Sequence, residues 1–310
     1  MLIFWIIIFA ISLFVLVKAA DYFTDFSERI GLALGIPQFI IGVTIVSIGT
    51  SLPELTSSIA AVLKGSTEIV AGNVLGSNIA NILLVIGLAA FLSKKIAVKR
   101  DIIKLDLPLL AAGGVMLIVM IMWDGRVTLG EGIIALLTYL VYFHYTLKYH
   151  EKEKPTKSEK GHVGFKLIFG LILSAFFVYL GANYTIEGVI NIADILDIST
   201  GVIALSAVAI GTSLPELLVS VSAARKGNYE VAIGNVFGSN VFNGCMVLGI
   251  PALIKTLTVS PKTISLAIPF FIGATVLFVI SGITKRIYSW EGAMYLLIYV
   301  LFIGKLFGLF

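Results

Sequence analysis

A segment of 34 residues occurs twice in the chain, and this duplication limits the possible folds more than any other feature. Residues Ile48–Asn81 and Ile210–Asn243 align without gaps at an offset of 162, and 20 of the 34 positions are identical. The identity is concentrated in GTSLPEL and in GNVxGSNxxN, which are polar sequences within apolar surroundings. The chain is therefore predicted to contain two related halves, each built around one copy.

Apolar runs of membrane-spanning length occupy most of the chain. Of its 310 residues, 58% are hydrophobic and 13% are charged, whereas a soluble domain is about a quarter charged. This composition excludes a water-soluble globular enzyme and a disordered protein. A membrane helix needs roughly 20 apolar residues. The runs of this kind are Leu2–Ala20, Ile36–Leu63, Ile69–Leu92, Leu105–Met122, Val127–Leu147, Gly164–Tyr184, Gly201–Ala224, Val231–Ile254, Ile264–Ile280 and Trp290–Phe310.

Five spans in each half imply that the second half enters the membrane from the opposite face. The predicted fold is an all-α polytopic membrane protein, with ten transmembrane helices in two five-helix repeats of inverted topology. The first repeat is 1–147 with its motif at 42–81, and the second is 164–310 with its motif at 204–243. Residues 148–163 form a hydrophilic linker. Secondary transporters often have this architecture, with substrate sites at the interface of the repeats.

The basic residues predict the orientation. With the N-terminus outside, 17 of the 22 Lys and Arg residues face inward, as the positive-inside rule requires. We therefore expect a multi-pass protein of the plasma membrane with a cytoplasmic linker and both termini outside. The apolar N-terminus lacks a preceding basic region, which favours a retained span over a cleaved signal peptide.

Two carboxylates lie deep inside the apolar runs. Glu54 and Glu216 occupy the same position in the two copies, whereas the other Asp and Glu residues fall near span ends or in loops. A carboxylate at the bilayer centre costs several kcal/mol, so it usually has a function. The alternative is a protonated Glu that only stabilises helix packing, which explains a symmetry-related pair less well.

A proline directly precedes each of these glutamates. Because Pro53 and Pro215 lack an N–H group, the helix is expected to kink or restart at each of them. Ser51 and Ser213 stand three residues before the glutamates, the spacing of a capping box. Backbone carbonyls upstream would then be free at membrane depth, which requires a buried or wet environment. These are the carbonyls of residues 47–50 and 209–212.

The second polar segment adds hydroxyl and amide groups. Ser77 and Asn81, like Ser239 and Asn243, are four residues apart and share a helix face. The glycines four residues apart permit close helix packing, which would bring these side chains against the glutamate-bearing helices. They are Gly72 and Gly76 in the first copy, and Gly234 and Gly238 in the second. The other amides rank lower as ligands and could serve as interhelical hydrogen bonds: Asn73, Asn78, Asn235 and Asn240.

All of these donors are oxygens, which select hard cations such as Ca²⁺ and Na⁺. Two carboxylates balance the charge of one Ca²⁺. The single cysteine and the three histidines provide no soft metal site within the repeated segments.

The chain carries no HExxH, GxSxG or phosphate-binding Gly-Lys-Ser/Thr motif. Neither catalysis nor ATP hydrolysis is expected, so we predict a protein that is not an enzyme and has no covalent cofactor. The net charge of +4 does not suggest a nucleic-acid partner, and no obligate protein partner is implied.

The chain resembles the cation/calcium exchanger superfamily, and most closely its archaeal and bacterial sodium/calcium exchanger branch. GTSLPEL and GNVxGSNxxN resemble the two α-repeats of that family, and the resemblance covers essentially the whole chain. It implies exchange of Na⁺ for Ca²⁺ by alternating access, with the first and sixth spans sliding over the other eight.

The resemblance also implies a set of ion sites. A central calcium site would use the carboxylates of Glu54 and Glu216 with the carbonyls of Thr50 and Thr212. The two flanking sodium sites and the polar position between them would use the following residues: Ser51, Ser239, Glu54 and the carbonyl of Ser47; Ser77, Ser213, Glu216 and the carbonyl of Ala209; and Asn81 with Asn243.

One position departs from part of the family, since some microbial members carry Asp where this chain has Asn243. The Asn removes a titratable group from the centre of the site. Three alternatives stay open at the level of sequence: an H⁺/Ca²⁺ antiporter, a K⁺-dependent antiporter, and a cation channel that uses the same oxygen ligands. The inverted repeat with broken helices favours a transporter over a channel.

Overall fold

The computed structural model describes residues 1–93, 95–97, 103, 106–150, 163–195 and 213–309. This part of the chain is mostly helical. We number its helices α1 Leu2–Leu34, α2 Gln38–Leu63, α3 Glu68–Leu92, α4 Asp106–Asp124, α5 Leu129–His150, α6 Phe165–Ile195, α7 Leu214–Arg225, α8 Tyr229–Ile254, α9 Pro261–Thr284 and α10 Ser289–Leu306. All except α5 and α7 are long and apolar enough to cross a membrane. The prediction of a multi-pass helical protein is thereby confirmed in its coarse form. Most of the linker and residues 201–212 of the predicted seventh span lie outside the described residues.

Helix α1 is much longer than its predicted span, which ended at Ala20. At about 1.5 Å per residue, its 33 residues reach well beyond a hydrocarbon core of about 30 Å. The helix ends at Gly35, whose left-handed conformation (φ 70°) is accessible to glycine without strain. Helix α6 likewise extends past its predicted end at Tyr184, to Ile195.

Acidic side chains on the extension of α1 bind the turn between α7 and α8. Lys226 donates to Asp25 at 2.9 Å and to the carbonyl of Asp21 at 2.8 Å, and Ser222 donates to the Asp21 carboxylate at 2.5 Å. One turn further along, Asn228 donates to Glu28 at 2.6 Å. These contacts give the charged turns of α1 polar partners.

Helices α1 and α6 pack closely and antiparallel to each other. Gly181 faces Leu16 so closely that an added Cβ would lie 2.9 Å from the Leu16 backbone, and Gly188 faces Phe9 in the same way. Between these contacts, the hydroxyl of Thr185 donates to that of Ser12 at 3.0 Å. Small residues on α6 thus allow the two helix backbones to approach.

Two short antiparallel ribbons join the halves of the chain. Strand β1 (Lys95–Ala97) pairs with β4 (Arg286–Tyr288), and β2 (Arg126–Val127) pairs with β3 (Leu257–Thr258). The all-α prediction did not include these strands, because two or three residues are too few for a recognisable alternation. Helices α2, α3 and α8 are the most buried of the spanning helices, so the two repeated segments lie at the centre of the fold.

Candidate ion-binding site

Irregular helix geometry occurs beside the polar residues of both copies. Helix α2 contains a π-helical segment at Gly42–Val46, α3 contains one at Asn81–Ile86, and α8 contains one at Asn243–Val247. The latter two begin at equivalent residues of the repeat. Such π segments are rare and are frequent at functional sites.

The prediction for the prolines holds only in part. Helix α2 does not restart at Pro53 but continues through it, and Ser51 makes no capping bond there. Its hydroxyl instead donates to Glu216, so the capping box that the spacing predicted is wrong for this copy. In the second copy, α7 begins at Leu214 with Pro215 in its first turn, although Ser213 makes no side-chain capping bond. Because α2 has no start at Ser51 in the first copy, there are no terminal N–H groups for its hydroxyl to cap.

Glu54 and Glu216 are both buried, with 1% and 0% of their surface exposed. The hydroxyl of Ser51 donates to Glu216 Oε1 at 2.9 Å. Both oxygens of Glu54, and Oε2 of Glu216, have no hydrogen-bond partner among the described residues. Buried carboxylate oxygens are costly unless they are paired or coordinate a metal. Two glutamates at equivalent positions of the two copies thus carry three buried carboxylate oxygens that a bound cation would satisfy.

The other predicted ligands in the described part of the chain are also buried. Each is at most 2% exposed: Ser47, Thr50, Ser51, Ser77, Asn81, Ser213, Ser239 and Asn243. Thr212 and Ala209 lie outside the described residues. The hydroxyl of Ser213, the side-chain oxygen of Asn81, and the side-chain oxygen and nitrogen of Asn243 find no partner within the described ranges. The oxygen atoms among these are free to bind a cation, whereas the Asn243 nitrogen can only donate a hydrogen bond.

Two equivalent asparagines hold the polar helices together. Asn235 donates to Ser220 at 2.9 Å and accepts from Thr50 at 3.2 Å and from Ser239 at 3.4 Å. Asn73 repeats part of this pattern, since it donates to Ser58 at 3.1 Å and accepts from Ser77 at 3.5 Å. The sequence analysis passed over Ser58 and Ser220, although both copies carry Ser at this position. The identical serine in both copies was the signal in the sequence that could have indicated a role for Ser58 and Ser220.

Helices α3 and α8 are linked directly by hydrogen bonds that asparagine side chains donate. Asn78 Nδ2 donates to the carbonyl of Asn240 at 3.2 Å, and Asn81 Nδ2 donates to Asn240 Oδ1 at 3.1 Å. The interpretation of these lower-ranked amides as interhelical bonds therefore holds for Asn78 and Asn240. The arrangement is asymmetric, because Asn81 is held in place whereas the equivalent Asn243 has no bond of this kind among the described residues.

Close glycine packing occurs in the second copy. An added Cβ on Gly234 would lie 2.3 Å from the carbonyl oxygen of Phe39, and one on Gly238 would lie 2.4 Å from that of Val43. This backbone contact brings α8 against the glutamate-bearing α2, as predicted. Around Gly72 and Gly76, no atom of a described residue lies within 4 Å of an added Cβ. Residues 201–209, which are equivalent to the α2 segment that Gly234 and Gly238 contact, lie outside the described ranges.

A family model described as "Sodium/calcium exchanger protein" matches residues 4–148 and 166–307. A sodium/calcium exchanger of Methanosarcina acetivorans, MaX1, is 34% identical, and the alignment covers 97% of this chain and 98% of that protein. An uncharacterized membrane protein of Methanocaldococcus jannaschii is also 34% identical, with 96% of each chain covered.

Solved structures of the sodium-calcium exchanger NCX_Mj share the fold. The structure obtained after soaking without Na⁺ and Ca²⁺ has a TM-score of 0.84 at 31% identity, covering 99% of this chain and all of that chain. A structure soaked with both ions has a TM-score of 0.85, with 99% of each chain covered.

Proposed function

Since this chain belongs to the sodium/calcium exchanger family, we propose that it is a secondary antiporter that exchanges Na⁺ for Ca²⁺ at a site centred on Glu54 and Glu216. The observation that carries this assignment is the pair of buried glutamates at equivalent positions, with three carboxylate oxygens that lack partners in the described part of the chain.

The donor set suits calcium. Ca²⁺ takes 6–8 oxygen ligands at about 2.3–2.6 Å in a flexible geometry. Two carboxylates supply the compensating charge, and the carbonyls of Thr50 and Thr212 supply further oxygens. Because Mg²⁺ holds its water tightly and demands a small octahedron, this site favours the larger ion.

Sodium would occupy the flanking positions. One site would use Ser51, Ser239, Glu54 and the carbonyl of Ser47, and the other would use Ser77, Ser213, Glu216 and the carbonyl of Ala209. Each sodium site shares a glutamate with the calcium site, so Na⁺ and Ca²⁺ compete for the same charge. This competition couples the two fluxes. The Ser51 hydroxyl, which now donates to Glu216, would turn its oxygen toward the ion when sodium binds.

We also propose ten membrane spans arranged as two inverted repeats, with both termini outside. Several paired features support this arrangement. The bonds that join Asn73 to Ser58 and Asn235 to Ser220 are equivalent at the offset of 162. Helices α1 and α6, the first of each half, pack antiparallel. Each ribbon joins one strand from each half.

Alternating access would move the α1–α6 pair against the remaining helices. The close glycine contacts between α1 and α6 favour motion of the two as one body. The bonds from Lys226 to α1 lie on the predicted cytoplasmic side, and they would have to break or exchange when that side opens.

Calcium uptake into proteoliposomes tests the proposed function. Vesicles that hold the purified protein are loaded with Na⁺ and diluted into Na⁺-free buffer that contains radioactive Ca²⁺. We expect uptake that saturates and requires the sodium gradient. Uptake driven by a pH gradient alone would assign the protein to proton-coupled exchange, and a requirement for K⁺ would assign it to potassium-dependent exchange. Flux without any counter-ion would indicate a channel.

Three variants test the site. Glu54→Gln and Glu216→Gln preserve side-chain size and remove one charge each, so each is expected to abolish calcium uptake. Glu68→Gln, at an exposed position at the start of α3, is the matched control and should transport normally. Full transport by either buried variant would contradict the site assignment.

A further inference from the structure

A small cavity lies beside the candidate ion site, between α3, α4, α8 and α9. Its volume is about 10 Å³, close to the roughly 10–15 Å³ that one water molecule needs. Most of its wall is apolar, but Asn78, Asn240 and Thr275 also line it. Asn78 and Asn240 are equivalent residues of the two copies, so both halves of the chain contribute to the cavity.

Each of these three residues has one buried polar atom without a partner among the described residues. The atoms are Asn78 Oδ1, Asn240 Nδ2 and Thr275 Oγ1. Asn78 and Asn240 are only 2% and 5% exposed. Most buried polar atoms in proteins are hydrogen-bonded to protein or to ordered water. Three unsatisfied atoms around one water-sized space therefore point to a common ligand.

We propose that the cavity binds one water molecule, which bridges Asn78, Asn240 and Thr275 and thereby holds the amide of Asn240 in one orientation. The water accepts from Asn240 Nδ2 and donates to Asn78 Oδ1, while the Thr275 hydroxyl can donate or accept. A cation does not suit the cavity, because the amide N–H of Asn240 would repel it.

The orientation of Asn240 matters because its other amide atom positions Asn81. Asn240 Oδ1 accepts from Asn81 Nδ2 at 3.1 Å, which leaves Asn81 Oδ1 free of partners in the described residues and available to an ion. If the side-chain amide of Asn240 rotated by about 180°, its Nδ2 group would face Asn81 Nδ2. Two donors would then oppose each other, and the Asn81 side chain would have to rotate. The water makes this reversal unfavourable. Asn240 is thus a positioning residue, as are the outer-shell partners of metal ligands elsewhere. This inference rests on the proposed role of Asn81 in the ion site.

Two Thr275 variants of the full-length protein test the inference. Thr275→Val keeps the shape of the side chain and removes the hydroxyl, whereas Thr275→Ser keeps the hydroxyl and removes the methyl group. Calcium binding to each purified protein is measured by calorimetry. We expect Thr275→Val to weaken calcium binding about 3- to 10-fold, the loss of roughly one hydrogen bond, and Thr275→Ser to bind like the unchanged protein.

A double-mutant cycle separates positioning from a general structural effect. If the water acts through Asn81, adding Thr275→Val to Asn81→Ala should weaken calcium binding no further than Asn81→Ala does alone. A crystal structure that shows ordered waters should contain one in this cavity, and Thr275→Val should lose it.

The possible failures are distinguishable. Normal calcium binding by Thr275→Val, or a cavity without water, would overturn the inference while Asn81→Ala still weakened binding. Normal calcium binding by Asn81→Ala would refute the proposed role of Asn81 in the ion site, and the positioning inference with it.

Discussion

Replacing Asn235 by Leu removes a buried amide that joins three polar side chains. Asn235 is 0% exposed and makes bonds of 2.9, 3.2 and 3.4 Å to Ser220, Thr50 and Ser239. The bond to Ser220 contributes roughly 0.6–1 kcal/mol, and its loss leaves the buried Ser220 hydroxyl without its donor at about 1–3 kcal/mol, so we expect a loss of about 2–3 kcal/mol in the free energy of unfolding. Thr50 lies one turn before Glu54, and calcium binding should therefore weaken as well.

The repeat provides the matched control, Asn73→Leu. Asn73 is half-buried, and its bonds to Ser58, to the Glu54 carbonyl and from Ser77 are longer, at 3.1, 3.4 and 3.5 Å. Two of these three bonds are longer than hydrogen bonds usually are, and water can reach part of a half-buried amide, so we expect a loss of about 1 kcal/mol. Reversible unfolding in mixed detergent micelles, titrated with sodium dodecyl sulfate, measures both variants. Equal losses, or a loss below about 1 kcal/mol for Asn235→Leu, would refute the argument from bond length and burial.

Three further predictions concern packing and motion. Gly238→Ala forces a methyl group against the backbone of α2 and should cost about 1–3 kcal/mol in the same unfolding assay; a cost near zero would contradict the close contact. Lys226→Met removes partly exposed bonds to α1, so it should change stability by less than about 1 kcal/mol but alter the rate of sodium-driven calcium uptake; an unchanged rate would show that these bonds do not limit the motion. Cysteines at Ser12 and Thr185, oxidised in a protein whose native cysteine is replaced by Ser, should cross-link α1 to α6 and leave uptake intact, and loss of uptake on oxidation would show that the two helices must move past each other.

The burial of both glutamates was predictable, because a carboxylate within an apolar run has few reasons to be there. The length of α1 was not. Asp21 and Asp25 end the apolar run and suggest a loop, but in the structure their side chains find polar partners in Ser222 and Lys226, about 200 residues away, and the helix continues. Local pattern cannot reveal partners this distant in sequence.

The continuation of α2 through Pro53 also could not be predicted from the sequence. The spacing of Ser51 and Glu54 fits a capping box, but the Ser51 hydroxyl bonds to a carboxylate in the other half. Similarly, nothing in the sequence around Thr275 connects it with Asn78 and Asn240. These contacts depend on how helices from the two halves cross, which the repeat implies only in outline.

The ribbons have a consequence for biosynthesis. Strand β1 finds its partner at residues 286–288, and β2 finds its partner at residues 257–258. While the chain is being made, the first half therefore enters the membrane with both strand edges unpaired and with Asn78 and Asn81 lacking their partner Asn240. The repeats look like two units in sequence, yet neither can complete its hydrogen bonds without the other. Insertion of α9 and of strand β4 after it would then close the second ribbon, and a chain that stalled before α9 would leave the edge of β1 unpaired.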